Sequence, residues 1–300
     1  MIYVASDTSY AHPLPEGHRF PMLKYELLPK QLLHEGTCDE AQFFKPKLID
    51  HKHVLRTHNK DYLDKLLRLN LDVKEVRKIG FPLSEALVAR ELQIAQGTLD
   101  ACVYAIENGV ALNIAGGTHH AYADHGEAFC LLNDQAIAAD FLLAEQLAKH
   151  ILIIDLDVHQ GNGTAAIFRN NPMVFTFSMH GKANYPFKKE RSDLDIELEK
   201  GTNDDTYLSL LHKTLEELLN TFNPDFIFYL SGVDVLNTDK LGTLALSLEG
   251  CKKRDALVFG AAHSRNIPLQ CSMGGGYSKD VKIIVEAHAN TYRVAKQLYH

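Results

Sequence analysis

The residues best suited to chemistry lie in the segment Asp155-Leu156-Asp157-Val158-His159-Gln160-Gly161-Asn162-Gly163. On an extended segment alternate side chains point the same way, so Asp157 and His159 can share one cation, with Asp155 one step deeper. Gly161 and Gly163 let the backbone turn sharply into whatever follows. A further carboxylate, Asp234, stands four residues beyond Leu230, the end of an apolar run; Asp239 competes for its role by proximity. Two carboxylates and one imidazole leave room for water and a substrate oxygen, the open arrangement of a catalytic metal. Zinc is the expected ion, although the oxygen-rich set also suits Fe(II) or Mn(II).

Other segments offer the remaining parts of a hydrolase. Gly116-Gly117-Thr118-His119-His120 presents a tandem histidine pair, and one or two imidazoles can serve as base and acid near neutral pH. Asp155 and Asn162 are candidates to fix the tautomers and ring positions of such histidines. Gly274-Gly275-Gly276-Tyr277 permits close backbone approach, and its tyrosine hydroxyl can donate to a developing oxyanion. No Lys-Ser/Thr follows these glycines, so the segment is not a phosphate loop. Phe129 could line a narrow apolar channel. Taken singly, each feature has a plainer reading: an Asp-x-His can cap a helix, a lone histidine is usually structural, and a lone phenylalanine is usually core.

These segments are informative because of where they fall. Strand-length apolar runs are expected at Ile2–Ala5, Val110–Ala115, Ile151–Asp155, Met173–Phe177, Asp225–Leu230 and Pro268–Met273. Helical periodicity is expected at Ser84–Asn108, Asp134–Lys149, Asp204–Phe222, Glu249–Arg265 and Asp280–Tyr299. Ile151-Leu152-Ile153-Ile154 is apolar throughout, as in a parallel strand covered on both faces. Strand-then-helix alternation predicts one α/β domain over residues 1–300, a mainly parallel central sheet flanked by helices on both faces. In such sheets ligands bind outside the carboxyl ends of strands. The polar, glycine-rich segments follow the strands directly, so they should gather at one edge; Ser178-Met179-His180-Gly181 belongs with them.

Composition narrows the function class. The 300 residues are 46% hydrophobic and 23% charged, with a net charge of −7. That balance opposes a general nucleic-acid binder, which needs a basic field, and leaves a basic substrate open. The 5 cysteines are widely spaced without CxxC, which fits a reducing compartment better than a disulfide framework. The start lacks the pattern of a signal peptide, and no apolar run approaches the roughly 20 residues that cross a bilayer. A cytoplasmic protein without membrane contact is expected, or a nuclear one if the source is eukaryotic.

Together the motifs resemble the zinc-dependent histone deacetylase family. Gly-Gly-Thr-His119-His120-Ala, Phe129-Cys130-Leu-Leu-Asn133-Asp134, Asp155-Leu-Asp157-Val-His159-Gln160-Gly-Asn162-Gly, Ser178-Met-His180, Gly232-Val-Asp234 and Gly274-Gly-Gly-Tyr277 occur in that family's order. The opening His12-Pro13 and His18-Arg19-Phe20-Pro21-Met22 also resembles its start. The resemblance implies an arginase/deacetylase fold and hydrolysis of an N-acyl-lysine in a protein or peptide, or of an acylated polyamine. It implies zinc on Asp157, His159 and Asp234, with His120 as base and acid and His119 as its electrostatic partner. Tyr277 would polarise the acyl carbonyl, and Asp155 and Asn162 would support the histidines. Phe129, Tyr185, Phe187 and Gly275 would contact substrate, and Arg19 would reach the base of the pocket. A potassium ion near Asp155, Asp157 and Ser178 is also implied. Gln160 and Asn162 stand where class I members carry His and Asp; this pair looks like class IV, and the compact length like a bacterial or minimal member. With Asn at 162, the histidine in front of it loses a negative partner. An arginase-like binuclear centre would need an acidic ligand at position 161, which is glycine. A non-catalytic acyl-lysine binder is the remaining alternative.

Overall fold

The computed structural model describes residues 1–299. Eight strands form one sheet: β1 (Tyr3–Ala5), β2 (Phe43–Phe44), β3 (Val110–Asn113), β4 (Ile151–Asp155), β5 (Val174–Gly181), β6 (Leu194–Leu198), β7 (Phe226–Leu230) and β8 (Leu269–Ser272). Their order is β2-β1-β3-β8-β7-β4-β5-β6, and every neighbouring pair is parallel. All five positions of β4 and of β7 are buried. Successive strand side chains face opposite sides, so both faces of these strands are covered. The six expected strands are all present, within a residue or two at most ends; β5 runs on to Gly181.

Among the described residues ten α-helices flank the sheet: α1 (Lys24–His34), α2 (His51–Val54), α3 (Lys60–Leu67), α4 (Val73–Ile79), α5 (Glu85–Asn108), α6 (Asp134–Ala144), α7 (Asn162–Phe168), α8 (Asp204–Thr221), α9 (Leu248–Ser264) and α10 (Val281–Leu298). The Ser84 hydroxyl accepts from Leu87 N–H at the start of α5, and Gly109, at φ 86°, ends it. The expected helix Asp134–Lys149 stops earlier, at Ala144. Gln146 takes a left-handed φ of 58°, and Leu147 N–H bonds back to Leu142 O at 2.8 Å, a C-terminal hook that releases the chain toward β4.

The edge strand β6 and helices α1 to α4 lie outside the expected elements. In β6 the sequence Leu-Asp-Ile-Glu-Leu alternates apolar and acidic residues and is half exposed, as suits an edge. The uniform apolarity that marks central strands is absent there. In α1, Pro29 interrupts the helical pattern. That helix is held to α10 by Arg293, whose guanidinium bonds Glu35 through Nε at 3.0 Å and Nη2 at 2.6 Å, and Glu286 through Nη1 at 2.6 Å.

Burial works to raise the Glu35 pKa, but the hydrogen bonds from Arg293 outweigh it and hold it below the ordinary value; the same guanidinium lowers Glu286. A carboxylate with a lowered folded pKa stabilises above its unfolded pKa, about 4.3 for Glu, and that stabilisation is lost as pH falls through the folded value. Arg293→Met should cost about 1 kcal/mol at neutral pH, or roughly 2–4 °C in melting temperature. The melting-temperature gap between the two proteins should narrow as pH falls below about 4.3, the unfolded glutamate value; a constant gap down to acid pH would show that the bridge contributes packing only.

Candidate active site

Four adjacent strands, β3, β8, β7 and β4, deliver the site. Their carboxyl ends lead into the histidine pair, the glycine-tyrosine turn, the Asp234 loop and the Asp157–His159 loop, in that spatial order. Strands about 4.8 Å apart bring these loops together although they are far apart in the chain. Asp157, His159 and Asp234 each offer a ligand atom within 4.8 Å of the others, all three residues buried. This is the one such cluster among the described residues. Asp239, the competing acid, instead accepts N–H groups of Leu241, Gly242 and Tyr277.

The local geometry differs from the expected extended segment. The strand ends at Asp155, and the chain then bends. Asp157 Oδ1 accepts the backbone N–H of His159 at 3.0 Å and lies equally close to its Nδ1, so a tight local turn, not strand alternation, aims both side chains at one point. His159 Nδ1 is also 3.2 Å from Asp234 Oδ2. Burial disfavours charge on His159, but the two carboxylates overcome it and lift its pKa to about 10. A divalent cation at the centre of this donor set would satisfy both acids and return the imidazole to its neutral, ligating form.

The remaining acceptor oxygens are spoken for. Gly275 N–H donates to Asp157 Oδ2 at 2.9 Å, and Val158 N–H to Asp234 Oδ1 at 3.0 Å. A Cβ on Gly275 would run into both the Asp157 and the Asp234 carboxylates, so only glycine lets the β8 turn come this close. Arg254, fully buried on α9, donates to the carbonyls of Leu156, Ser231 and Gly232, bracing the two ligand loops from behind.

The two histidines are set differently. His119 Nδ1 lies 2.6 Å from Asp155 Oδ2, and His120 Nδ1 lies 2.6 Å from Asn162 Oδ1. The ring centroids are 4.1 Å apart. Burial works against charge on His119, but the Asp155 carboxylate prevails and raises its pKa. Burial, with the neighbouring His119 and His159, drives His120 well below the ordinary histidine value. One imidazole is thus poised to carry a proton and the other to accept one.

His120, His159, Phe129 and Tyr277 stand where two cavities meet. The outer one, about 460 Å³, is also walled by Tyr185 and by Phe187, which is 90% exposed at the mouth. The inner one is about 40 Å³ and extends toward Tyr25, Arg90 and Gly117. Arg19 does not reach the base of the pocket. It is exposed at the mouth, its guanidinium 4.8 Å from the Phe129 ring centroid. The cation buried behind Tyr277 is Lys24, which donates to Gly274 O at 3.2 Å and whose pKa burial pulls down to about 8. It follows Arg19 by five residues and lies two beyond Met22, outside the motif noted at the chain's start. Asp155 and Ser178 are register partners on β4 and β5, and Ser178 Oγ lies 2.9 Å from His180 Nδ1.

A family model described as the histone deacetylase domain matches residues 18–292. The chain is 44% identical over 290 residues to an uncharacterized protein of a Picosynechococcus strain, covering 97% of each. It is 30% identical to Histone deacetylase 2 of Arabidopsis thaliana, covering 92% of this chain and 74% of that one. A crystal structure of an HDAC homolog complexed with SAHA superimposes with a TM-score of 0.84 at 24% identity, over 99% of this chain and 84% of that one. The common ground with that structure is the arginase/deacetylase fold.

Asp157→Asn should abolish metal retention, and Gly275→Ala should weaken it by displacing both acids while leaving the sheet folded. Elemental analysis after dialysis, with circular dichroism as the folding control, checks both; a Gly275→Ala protein that binds zinc as tightly as wild type would contradict the close-approach argument.

Proposed function

The chain belongs to the histone deacetylase family, and we propose that it hydrolyses the acyl amide of an N-acetyl-lysine side chain in a protein or peptide with the help of one zinc ion. The observation that carries this reading is the unequal histidine pair, one backed by Asp155 and the other by Asn162, facing the Asp157–His159–Asp234 donors at the foot of a tunnel. Asp157, His159 and Asp234 would hold the ion. When bound, it supplies Lewis-acid polarisation of the acyl oxygen and makes water more acidic; Fe(II) or Mn(II) on the same donors would do so too.

Each residue has a task that follows from its partners. With Nδ1–H donated to Asn162, His120 keeps an unprotonated Nε2, and this nitrogen takes the proton of the attacking water. Tyr277 donates its hydroxyl to the oxyanion as the carbonyl becomes tetrahedral. His119, kept protonated by Asp155, supplies the proton to the departing lysine amine. Acetate and free lysine result. Phe129 and Tyr185 flank the acyl-lysine stem, and Phe187 extends the wall outward. The Gln160–Asn162 pair supports the class IV-like reading, and a potassium ion near Asp155, Asp157 and Ser178 belongs to the same proposal.

Two features favour acetyl-lysine among related substrates. The inner cavity, about 40 Å³, has room for a few waters or a short acyl group, not for a long chain. The outer wall carries Arg19 and Lys78 and no carboxylate, which disfavours a polycationic polyamine. No described helix is long and apolar enough to cross a membrane.

Purified protein should contain one metal ion per chain and release acetate from an acetyl-lysine peptide faster than it releases longer acyl groups or acetate from acetylpolyamines. Two ions per chain would favour the arginase-like centre, and peptide binding without acetate release would favour a binding module. Tyr277→Phe should retain its metal and lower kcat by roughly 10²–10³, the usual cost of an oxyanion donor; unchanged turnover would remove Tyr277 from the chemistry.

A further inference from the structure

The replacement of an aspartate by Asn162 behind the catalytic base raises a question of hydrogen-bond direction. A carboxylate accepts through either oxygen, so it needs no orienting. An amide accepts at one end and donates at the other, and only the acceptor end can take the Nδ1–H of His120. If the Asn162 amide turned over, its NH₂ would face His120, the proton would move to Nε2, and the base would be blocked.

Asn162 is held the right way round by its other contacts. Its Nδ2 donates to Glu127 Oε1 at 2.9 Å and to the Tyr122 hydroxyl at 3.0 Å. A hydroxyl can give or receive, so Tyr122 does not dictate the direction; here it receives from Asn162 and donates to Glu190 at 3.3 Å. Glu127 acts only as an acceptor. Its other oxygen takes the Tyr185 hydroxyl at 2.6 Å and pairs with Lys78 Nζ at 3.0 Å. Glu127 is 5% exposed, between the base and the tunnel wall, where Tyr185 meets the His120 ring edge-on at 5.1 Å.

The backbone that carries Glu127 is built for the purpose. Ala128 and Phe129 both adopt positive φ, 47° and 68°, conformations that non-glycine residues sustain only where their surroundings impose them. Their N–H groups are tied to Lys78 O at 3.0 Å and Ile79 O at 2.6 Å, at the end of α4. The resulting tight turn aims Glu127 beneath the site and Phe129 onto the tunnel wall.

We propose that Glu127 is a positioning residue of the reaction: by accepting from Asn162 it sets the amide direction that fixes the Nδ1–H tautomer of His120, and by accepting from Tyr185 it locks the same side of the acyl-lysine tunnel. The negative group placed directly behind the base in relatives with aspartate at this position is here one residue further out. The two arrangements exclude one another, because an aspartate at 162 would bring its carboxylate within hydrogen-bonding distance of Glu127.

This inference rests on the deacetylase reading for its kinetic arm but not for its structural one. Heteronuclear NMR of the imidazole nitrogens in zinc-matched protein should find His120 as the Nδ1–H tautomer in wild type and mixed or reversed in Glu127→Leu. On an acetyl-lysine peptide, Glu127→Leu should lower kcat by roughly tenfold or more. Asn162→Asp alone should also be impaired, by the facing carboxylates. The double variant Asn162→Asp/Glu127→Leu should recover the Nδ1–H tautomer and most of the lost kcat, because aspartate needs no orienting. A purely structural role for the turn would show no such recovery. The proposal is overturned if Glu127→Leu keeps the wild-type tautomer, or if the double variant is no better than both single variants. If wild type cleaves no acyl-lysine peptide, the deacetylase reading falls while the tautomer measurement still decides the role of Glu127.

Discussion

Buried negative charge at the carboxyl ends of β4 and β7 is the constraint around which this molecule is arranged. Asp155, Asp157 and Asp234 are all removed from water, and an uncompensated buried carboxylate is among the most costly features a fold can carry. Each acid is met by backbone N–H groups and an imidazole: Asp155 by Asp157 N–H and His119, Asp157 by Gly275 N–H and His159, Asp234 by Val158 N–H and His159. Arg254 adds a buried guanidinium behind the ligand loops, itself paired with Asp255. A cation between Asp157, His159 and Asp234 would balance what these groups leave over. The fitness of this point for a metal is thus a consequence of where the acids are buried.

The strand order turns that local requirement into a site. β7 and β8 return late in the chain to lie between β3 and β4, so the Asp234 loop and the Tyr277 turn close the gap between the histidine pair and the Asp157–His159 loop. Asp134 fastens the first of these loops: its carboxylate accepts from Thr118 N–H at 2.9 Å and from the hydroxyls of Thr98 at 2.6 Å and Ser272 at 3.0 Å, tying the histidine loop to α5 and β8. Asp134, at the start of α6, appears in the sequence as the last residue of the Phe129–Asp134 motif and the first of an expected helix.

The two histidines show how identical side chains acquire opposite charge preferences. Adjacent in sequence and in contact in space, they differ in the group behind each ring. Burial disfavours charge on both; the carboxylate behind His119 outweighs it, whereas the amide behind His120, opposed also by two other imidazoles, does not. The amide brings its own demand, a definite direction, and the hydrogen bonds of Glu127 meet it. The group that meets this demand stands 35 residues earlier in the chain.

By itself the sequence determined the class of fold and the inventory of the site. Uniformly apolar runs such as Ile151–Ile154 fit parallel strands covered on both faces, and because parallel strands run the same way, the glycine-rich segments that follow them end up at one rim. Elements without that signature, such as the half-exposed β6 and the proline-containing α1, were not legible, since edge strands and surface helices are stabilised by tertiary packing more than by local pattern. Only the tertiary structure decided which acid joins the Asp157–His159 cluster and which serves N–H groups, that Arg19 stays at the mouth while Lys24 is buried behind Tyr277, and that Glu127 stands behind Asn162. Those outcomes depend on distances between loops far apart in the chain. A sequence states which side chains are available, but hydrogen-bond direction and burial exist only once the sheet has set those loops side by side.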